Sequence, residues 1–199
     1  MPEFLRESNE AEMVIEFIKA ESASTDLLDD YRFPEGYSYV ELIEHADLKN
    51  GYQNSLRRSM LNYRGYATRT AIFAGFPLEV AWAVHRFSVA EIAGFKYSNR
   101  PPWTQLAGQE RLVGDGALAI AEDPNRVVGL GIHLAKLDAI RDSLNAGRVL
   151  ARPIVAAVGA TYTIVEGHVR ATALAGFPGD RHFDVLVGRA DDFLQWQLR

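Results

Sequence analysis

The chain of 199 residues contains no cysteine. This absence excludes disulfide bonds, thiolate nucleophiles and the zinc or iron–sulfur sites that are built on cysteine. No apolar run approaches the roughly 18 residues of a membrane-spanning helix. The N-terminal residues also lack the apolar segment of a secretory signal peptide. From these absences we expect a cytoplasmic protein without a membrane partner.

The chain has no excess of positive charge. It carries 26 acidic and 21 basic side chains, which gives a net charge of −5. A protein that coats nucleic acid by bulk charge is therefore excluded, although a local basic patch is not. Hydrophobic residues make up 48% and charged residues 24% of the chain, as is typical of a globular protein.

The common nucleotide and metal motifs are missing as well. The sequence has no G-x-x-x-x-G-K-[S/T] loop, and Gly129-Leu130-Gly131 lacks the third glycine of a dinucleotide fingerprint. It also lacks H-E-x-x-H and the G-x-S-x-G nucleophile elbow. These absences argue against P-loop, Rossmann, zinc-hydrolase and serine-hydrolase sites.

Apolar residues at helical spacing recur through the first part of the chain. They predict helices after the cap at Ser8-Asn9, at 24–30, over 39–46 with Val40, Leu42 and Ile43 facing inward, and over 51–74. A strand is predicted over Val80–Phe87, and a capping box follows at Ser88 and Glu91. We therefore expect residues 1–100 to form a mainly helical region.

The predicted helix over 51–74 carries the basic cluster of the chain, which consists of Arg57, Arg58, Arg64 and Arg69. One interpretation is a solvated helix face. The other is a surface that binds phosphate or acidic groups.

Pro101-Pro102 ends the helical region, because neither proline can continue a helix. We interpret residues 101–125 as a connector. Its Trp103 is expected to pack in an interface. The alternative is a lid or a second arginine for a site in the following region.

Residues 126–199 have a different pattern, which predicts the order β-α-β-β-α-β-α. The predicted elements are a strand at 126–132, a helix at 133–146 with His133 as its cap and Gly147 at its end, strands at 153–158 and 162–166, a helix at 168–175, a strand at 183–187 and a last short helix at 190–196. Together with the helical first region, this order predicts an α+β fold.

The stretch TYTIVEGHVRATALAG, residues 161–176, gathers polar groups where a strand becomes a helix. The free N–H groups of a helix N-terminus attract anions, and His168 and Arg170 add donors at the same end. Glu166 would then hold Mg²⁺ or act as a general base. In the alternative, Glu166 caps the helix, His168 is a hydrogen-bonded framework residue, and Arg170 pairs with Asp180 or Asp184.

Residues 126–188 resemble the ParB/sulfiredoxin-like domain. The resemblance rests on four successive pieces: the helix Leu134–Gly147, the Pro153–Val158 strand, the Y-x-I-V-E-G strand that begins at Tyr162, and Gly167-His168-Val169-Arg170-Ala171. ParB proteins carry G-E-R-R and bind CTP, sulfiredoxins carry G-C-H-R and use ATP, and free-serine kinases carry the most similar form, D-G-H-x-R-A. Since cysteine is absent, sulfiredoxin repair chemistry is excluded.

The resemblance implies a small mixed sheet with flanking helices that binds ATP or CTP with Mg²⁺. It further implies an NTP-dependent phosphotransferase or NTPase that acts on an unidentified small-molecule acceptor. Its implied nucleotide-binding residues are Gly167, His168, Arg170 and Thr172; Glu166 and His168 would be catalytic, and Glu166 would hold the metal. The rival hypotheses are a ParB-like module that binds nucleic acid without turnover, and a non-catalytic scaffold.

Overall fold

A computed structural model describes residues 2–22, 33, 35–132 and 134–199 of the chain. The predicted helical turn at 24–30 and the predicted cap at His133 lie outside these residues. None of the helices in the described ranges is long and apolar enough to cross a membrane.

Five strands form one mixed sheet: Glu3–Ser8 (β1), Ala81–Ser88 (β2), Ile154–Val158 (β3), Thr161–Glu166 (β4) and His182–Arg189 (β5). Their order across the sheet is β1-β2-β5-β3-β4. The β3–β5 pair is parallel, and the other three pairs are antiparallel. With the helices around this sheet, the predicted α+β class is confirmed.

The α-helices are Glu10–Ser22 (α1), Gly51–Met60 (α2), Val89–Ala93 (α3), Trp103–Ala107 (α4), Val113–Glu122 (α5), Pro124–Gly129 (α6), Leu134–Asn145 (α7) and His168–Ala175 (α8). A π-helical turn spans Val40–Glu44, and 3₁₀ turns span Asn62–Arg64, Ala71–Phe73 and Asp191–Gln195. Asn9 caps α1 as predicted, because its side-chain oxygen accepts the Glu12 N–H at 3.0 Å.

Alternating residues of the central strands divide the core between the two faces of the sheet. In β5, Val185 and Val187 lie in one cluster with α5, α7 and α8, whereas Leu186 lies in the other cluster with α1 and Phe193. This alternation is the period of two that a strand imposes when both of its faces are covered. The sheet is therefore the middle layer of three.

Strands from before and after the predicted connector at 101–125 belong to one sheet. Strands β1 and β2 precede this segment, β3 to β5 follow it, and β2 pairs with β5 along eight residues. The segment itself contains α4 and α5, whose Trp103, Leu106 and Val113 are buried in the core. The first 100 residues thus supply two strands to the same sheet as the rest.

One strand prediction is wrong, and one strand was not predicted. The predicted strand at 126–132 is replaced by helix α6 over Pro124–Gly129, because Pro124 suits the first turn of a helix and Val127 is buried while its neighbour Val128 is 61% exposed. Strand β1 was not predicted, since its residues are exposed or half-buried on both faces. It exists through its pairing with β2.

The basic cluster at 57–69 does not form one solvated or phosphate-binding surface. Arg57 is fully buried and donates to the carbonyl of Leu42 at 2.6 Å and to the side chain of Gln53 at 2.8 Å. Arg64 pairs with Glu21, Arg58 pairs with Glu10, and Arg69 lies over the Tyr66 ring. The predicted inward position of Val40 is also wrong, because that residue is exposed while Leu42 and Ile43 are buried.

The capping box between β2 and α3 is present in full. The Glu91 carboxylate accepts the Ser88 N–H at 2.9 Å, and the Ser88 hydroxyl accepts the Glu91 N–H.

We expect Ser88→Ala to lower the free energy of unfolding by about 1 kcal/mol, because it leaves a helix N–H unpaired. Urea denaturation measures this loss. Ser88→Thr retains the hydroxyl and should lose less; equal losses would contradict the capping role.

Candidate functional site

The join between β4 and α8 leaves the first turn of α8 without a cap. Gly167 occupies the cap position with φ 95°, and no side chain accepts a hydrogen bond from the first turn. The first N–H groups of a helix have no partner within the helix. The alternative in which Glu166 caps α8 is therefore wrong, and this end of the helix offers free donors.

Close packing as well as φ requires glycine at position 167. A Cβ atom there would lie 3.1 Å from Pro153 Cα and 3.1 Å from Arg170 Nη2. Both contacts are tighter than ordinary van der Waals contact. The bulge in β4 opposite Ile154 and Val155 sets this approach, because it shifts the register just before the strand ends.

A cavity of about 500 Å³ opens at this helix end. Its volume lies within the range of small-molecule sites, roughly 300–1,000 Å³. Trp103, Ile140 and Leu150 contribute apolar surface to it. The charged side chains that line it are Lys19, Arg100, Lys136, Arg170 and Glu166. Four cations against one carboxylate, in a chain of net charge −5, make the cavity a local concentration of positive charge.

Two arginines on this cavity have buried nitrogen atoms without partners. The Nε atoms of Arg100 and Arg170 are buried and make no hydrogen bond within the described residues. Burial lowers the pKa of both guanidinium groups, and Glu166 opposes this shift. Arginine nevertheless stays protonated at neutral pH. A buried donor without an acceptor costs free energy; the Nε atom of Arg69, away from this cavity, is in the same state.

Glu166 lies beside Arg170. Its Oε1 atom is 3.9 Å from Arg170 Nη2, and its side chain is partly exposed. The alternative pairing of Arg170 with Asp180 or Asp184 is wrong, since Asp184 pairs with Arg86 at 3.0 Å. Glu166 is thus the carboxylate of this cavity.

A metal site made only of side chains is not formed by the described residues, which contain no group of three histidine, aspartate or glutamate side chains suited to a metal ion. Mg²⁺ is commonly held by one or two carboxylates together with substrate phosphates and water. Glu166 fits that arrangement as a single protein ligand next to a phosphate.

His168 is a framework residue at the start of α8. It is 4% exposed, and its Nε2 atom hydrogen-bonds Ser98 Oγ at 2.6 Å. Burial, with the positive charges of Arg100 and Arg170, holds its pKa well below the ordinary value. The ring is therefore neutral at pH 7 and supplies no positive charge to a phosphate.

An aromatic ring fixes His168 from the cavity side. The Trp103 ring stacks on both His168 and Tyr97, at 5.1 and 4.8 Å between centroids, while the Tyr97 and His168 rings are nearly parallel at 6.1 Å. Trp103 thus spans two neighbouring rings. The predicted interface position of Trp103 is consistent with this packing.

Thr172, which the resemblance places on the nucleotide, lies in the core. It is fully buried, and its hydroxyl donates to the His168 carbonyl at 2.7 Å and contacts the Tyr97 hydroxyl at 2.7 Å. It does not line the cavity. Its place one turn beyond His168 turns the hydroxyl inward.

The structure therefore brings Glu166, Gly167, His168 and Arg170 to one cavity and places Thr172 behind it. Sequence reasoning missed Lys19, Arg100 and Lys136. One feature of the sequence could have indicated Arg100. It lies directly before Pro101-Pro102, at the start of the segment that was considered as the source of a second arginine. Lys19 and Lys136 had none, because they lie on helices far from the motif in sequence.

Comparison of the chain with protein-family models, with curated proteins and with solved structures finds no match. The ParB/sulfiredoxin-like resemblance therefore stays a prediction from residues 134–171.

The two buried arginines allow a test of whether Arg170 serves a ligand or the fold. We expect Arg57→Met to lower the free energy of unfolding by about 3 kcal/mol or more, because carbonyl acceptors lose their donor. Arg170→Met should change it by less than about 1 kcal/mol, or raise it, because an apolar side chain replaces an unsatisfied charge. Chemical denaturation of both variants measures the contrast. Equal losses would show that Arg170 is structural.

Gly167→Ala tests the close approach at the join. Gly179 has nearly the same φ, 91° against 95°, but a Cβ there meets nothing within 4 Å. Both alanine variants should lose about 1–2 kcal/mol from the left-handed backbone, and Gly167→Ala should lose more through its contacts. Thermal unfolding compares the two; a larger loss at Gly179 would contradict the packing argument.

Proposed function

We propose that the chain binds a nucleoside triphosphate, with its phosphates at the N-terminus of α8 and the rest of the nucleotide along the apolar wall of the cavity. The observation that carries this proposal is the pair of unpartnered Nε atoms of Arg100 and Arg170 beside an uncapped helix end. Guanidinium groups and helix N-termini are both suited to phosphate.

The cavity walls match the two parts of such a ligand. Four cations and Glu166 line the cavity, and Trp103, Ile140 and Leu150 add apolar surface to it. A nucleotide needs both kinds of surface, because its base is flat and weakly polar and its phosphates carry the charge. A simple inorganic anion would use only half of this cavity.

The motif resemblance extends the proposal from binding to catalysis, as an NTP-dependent phosphotransferase or NTPase. In this proposal Glu166 is either the general base or the single protein ligand of Mg²⁺. Gly167 lets the backbone approach the phosphate, and Arg100 and Arg170 hold it. His168 positions the first turn of α8 through Ser98 and is not itself a phosphate ligand.

Calorimetric titration with ATP and CTP, with and without Mg²⁺, tests the binding. We expect one nucleotide to bind, and Arg100→Ala or Arg170→Ala to weaken it by about ten- to hundredfold, because each removes a charged hydrogen-bonding partner. Arg58→Ala is the matched control, since Arg58 lies on α2 in a pair with Glu10. The proposal is refuted if neither nucleotide binds at millimolar concentration, or if Arg100→Ala binds the nucleotide as tightly as the wild type does.

The salt dependence of binding distinguishes this proposal from the rival hypothesis, in which the site binds a nucleic-acid backbone. Backbone binding should weaken steeply with added salt, by orders of magnitude between about 50 and 200 mM. Nucleotide binding in a half-enclosed cavity should respond less. Arg57, Arg58 and Arg64, which would aid that rival, have partners within the fold.

A further inference from the structure

A second and larger cavity, of about 1060 Å³, lies next to the first. Residues 149–151 line both cavities. Lys19 and Arg170 also line both. The two spaces therefore meet at the same pair of cations.

Four charged residues of the larger cavity are already paired: Arg152, Glu16, Arg86 and Asp184. Arg152 contacts Glu12 at 2.9 Å and Glu16 at 3.2 Å, and Arg86 pairs with Asp184 at 3.0 Å. These pairs bring helix α1 against the start of β3, and β2 against β5. These ion pairs join elements of the fold, and their charges are not free to bind a ligand.

Four of the cations that line the larger cavity are outside these pairs: Lys19, Arg148, Arg170 and Arg181. Neither Lys19 nor Arg148 has an ion pair with any residue of the described ranges, Arg170 keeps its unpartnered Nε atom, and Arg181 lies over the Phe177 ring. Two lining carboxylates, Glu3 and Glu44, are also outside these pairs. The remaining charge of the larger cavity is therefore positive.

We propose that the larger cavity binds a second ligand, a small molecule that carries a carboxylate or a phosphate ester, beside the nucleotide. Lys19 and Arg148 would hold its negative charge, and Arg170 would lie between the two ligands. This inference rests on the proposed nucleotide function and names the chemical class of the second substrate. Its size limit follows from the cavity, which has about twice the volume of the first.

The lining residues provide variants that separate the cavities. Lys136 lines only the smaller cavity, and Arg148 lines only the larger one. Citrate and glycerol 3-phosphate serve as probes for a carboxylate and a phosphate ester. Each is titrated calorimetrically into the wild type, Lys136→Ala, Arg148→Ala and Arg170→Ala, alongside ATP and CTP.

We expect Arg148→Ala to weaken the binding of citrate or glycerol 3-phosphate by about tenfold and to leave the nucleotide unchanged. Lys136→Ala should do the reverse, and Arg170→Ala should weaken both classes of ligand. Binding of citrate alone or of glycerol 3-phosphate alone supports the proposal and decides between the two chemistries.

The inference is overturned if neither probe binds at millimolar concentration, or if Arg148→Ala binds both as tightly as the wild type does. It is also overturned if the probes respond to Lys136→Ala, because they would then occupy the nucleotide cavity. If the nucleotide binds and the probes do not, only the second site fails. If the probes bind through Arg148 and no nucleotide binds, the nucleotide proposal fails and the anion site stands.

Discussion

The close approach of Gly167 to Pro153 and Arg170 is the contact on which the rest of the site depends. It joins the end of β4, the entry to β3 and the first turn of α8 within one small volume. A Cβ atom at this position would require Pro153 or Arg170 to shift by a few tenths of an ångström. The positive φ of Gly167 suits glycine, and the first turn of α8 begins at the cavity without a capping side chain.

Arg57 and Arg170 are both buried, but they differ in how their hydrogen-bond donors are satisfied. Arg57 is enclosed completely and satisfied by carbonyl and amide oxygens, so it ties the π-helical turn to α2. Arg170 is nearly as buried but keeps a donor without an acceptor. An apolar side chain of similar volume at such a position is often neutral or stabilising. The difference between the two arginines supports the proposal of a ligand at the second.

Much of the local structure could be predicted from the sequence. The hairpin β3–β4, helix α8 and its end at Gly176 followed from alternation, a Gly-Ala turn and a Gly after an Ala-rich segment. The capping box at Ser88 and the α7 end at Gly147 followed from short-range chemistry as well. By contrast, the valines of residues 126–132 predict a strand, whereas residues 124–129 form helix α6. Val127 is fully buried in this helix. Strand β1 has no pattern of its own and depends on β2 for its existence.

The sequence by itself determined the strand-to-helix join at Glu166-Gly167-His168 and the kinds of donors that it carries, because these depend on neighbours in the chain. Only the tertiary structure decided which donors are free. It turned Thr172 into the core, engaged His168 with Ser98, and brought Arg100 to the same cavity as Arg170. It also placed the arginines at 57–69 in separate internal contacts. Charge and hydrogen-bonding capacity are properties of a residue, whereas whether they are satisfied depends on groups that are distant along the chain and that only packing brings together.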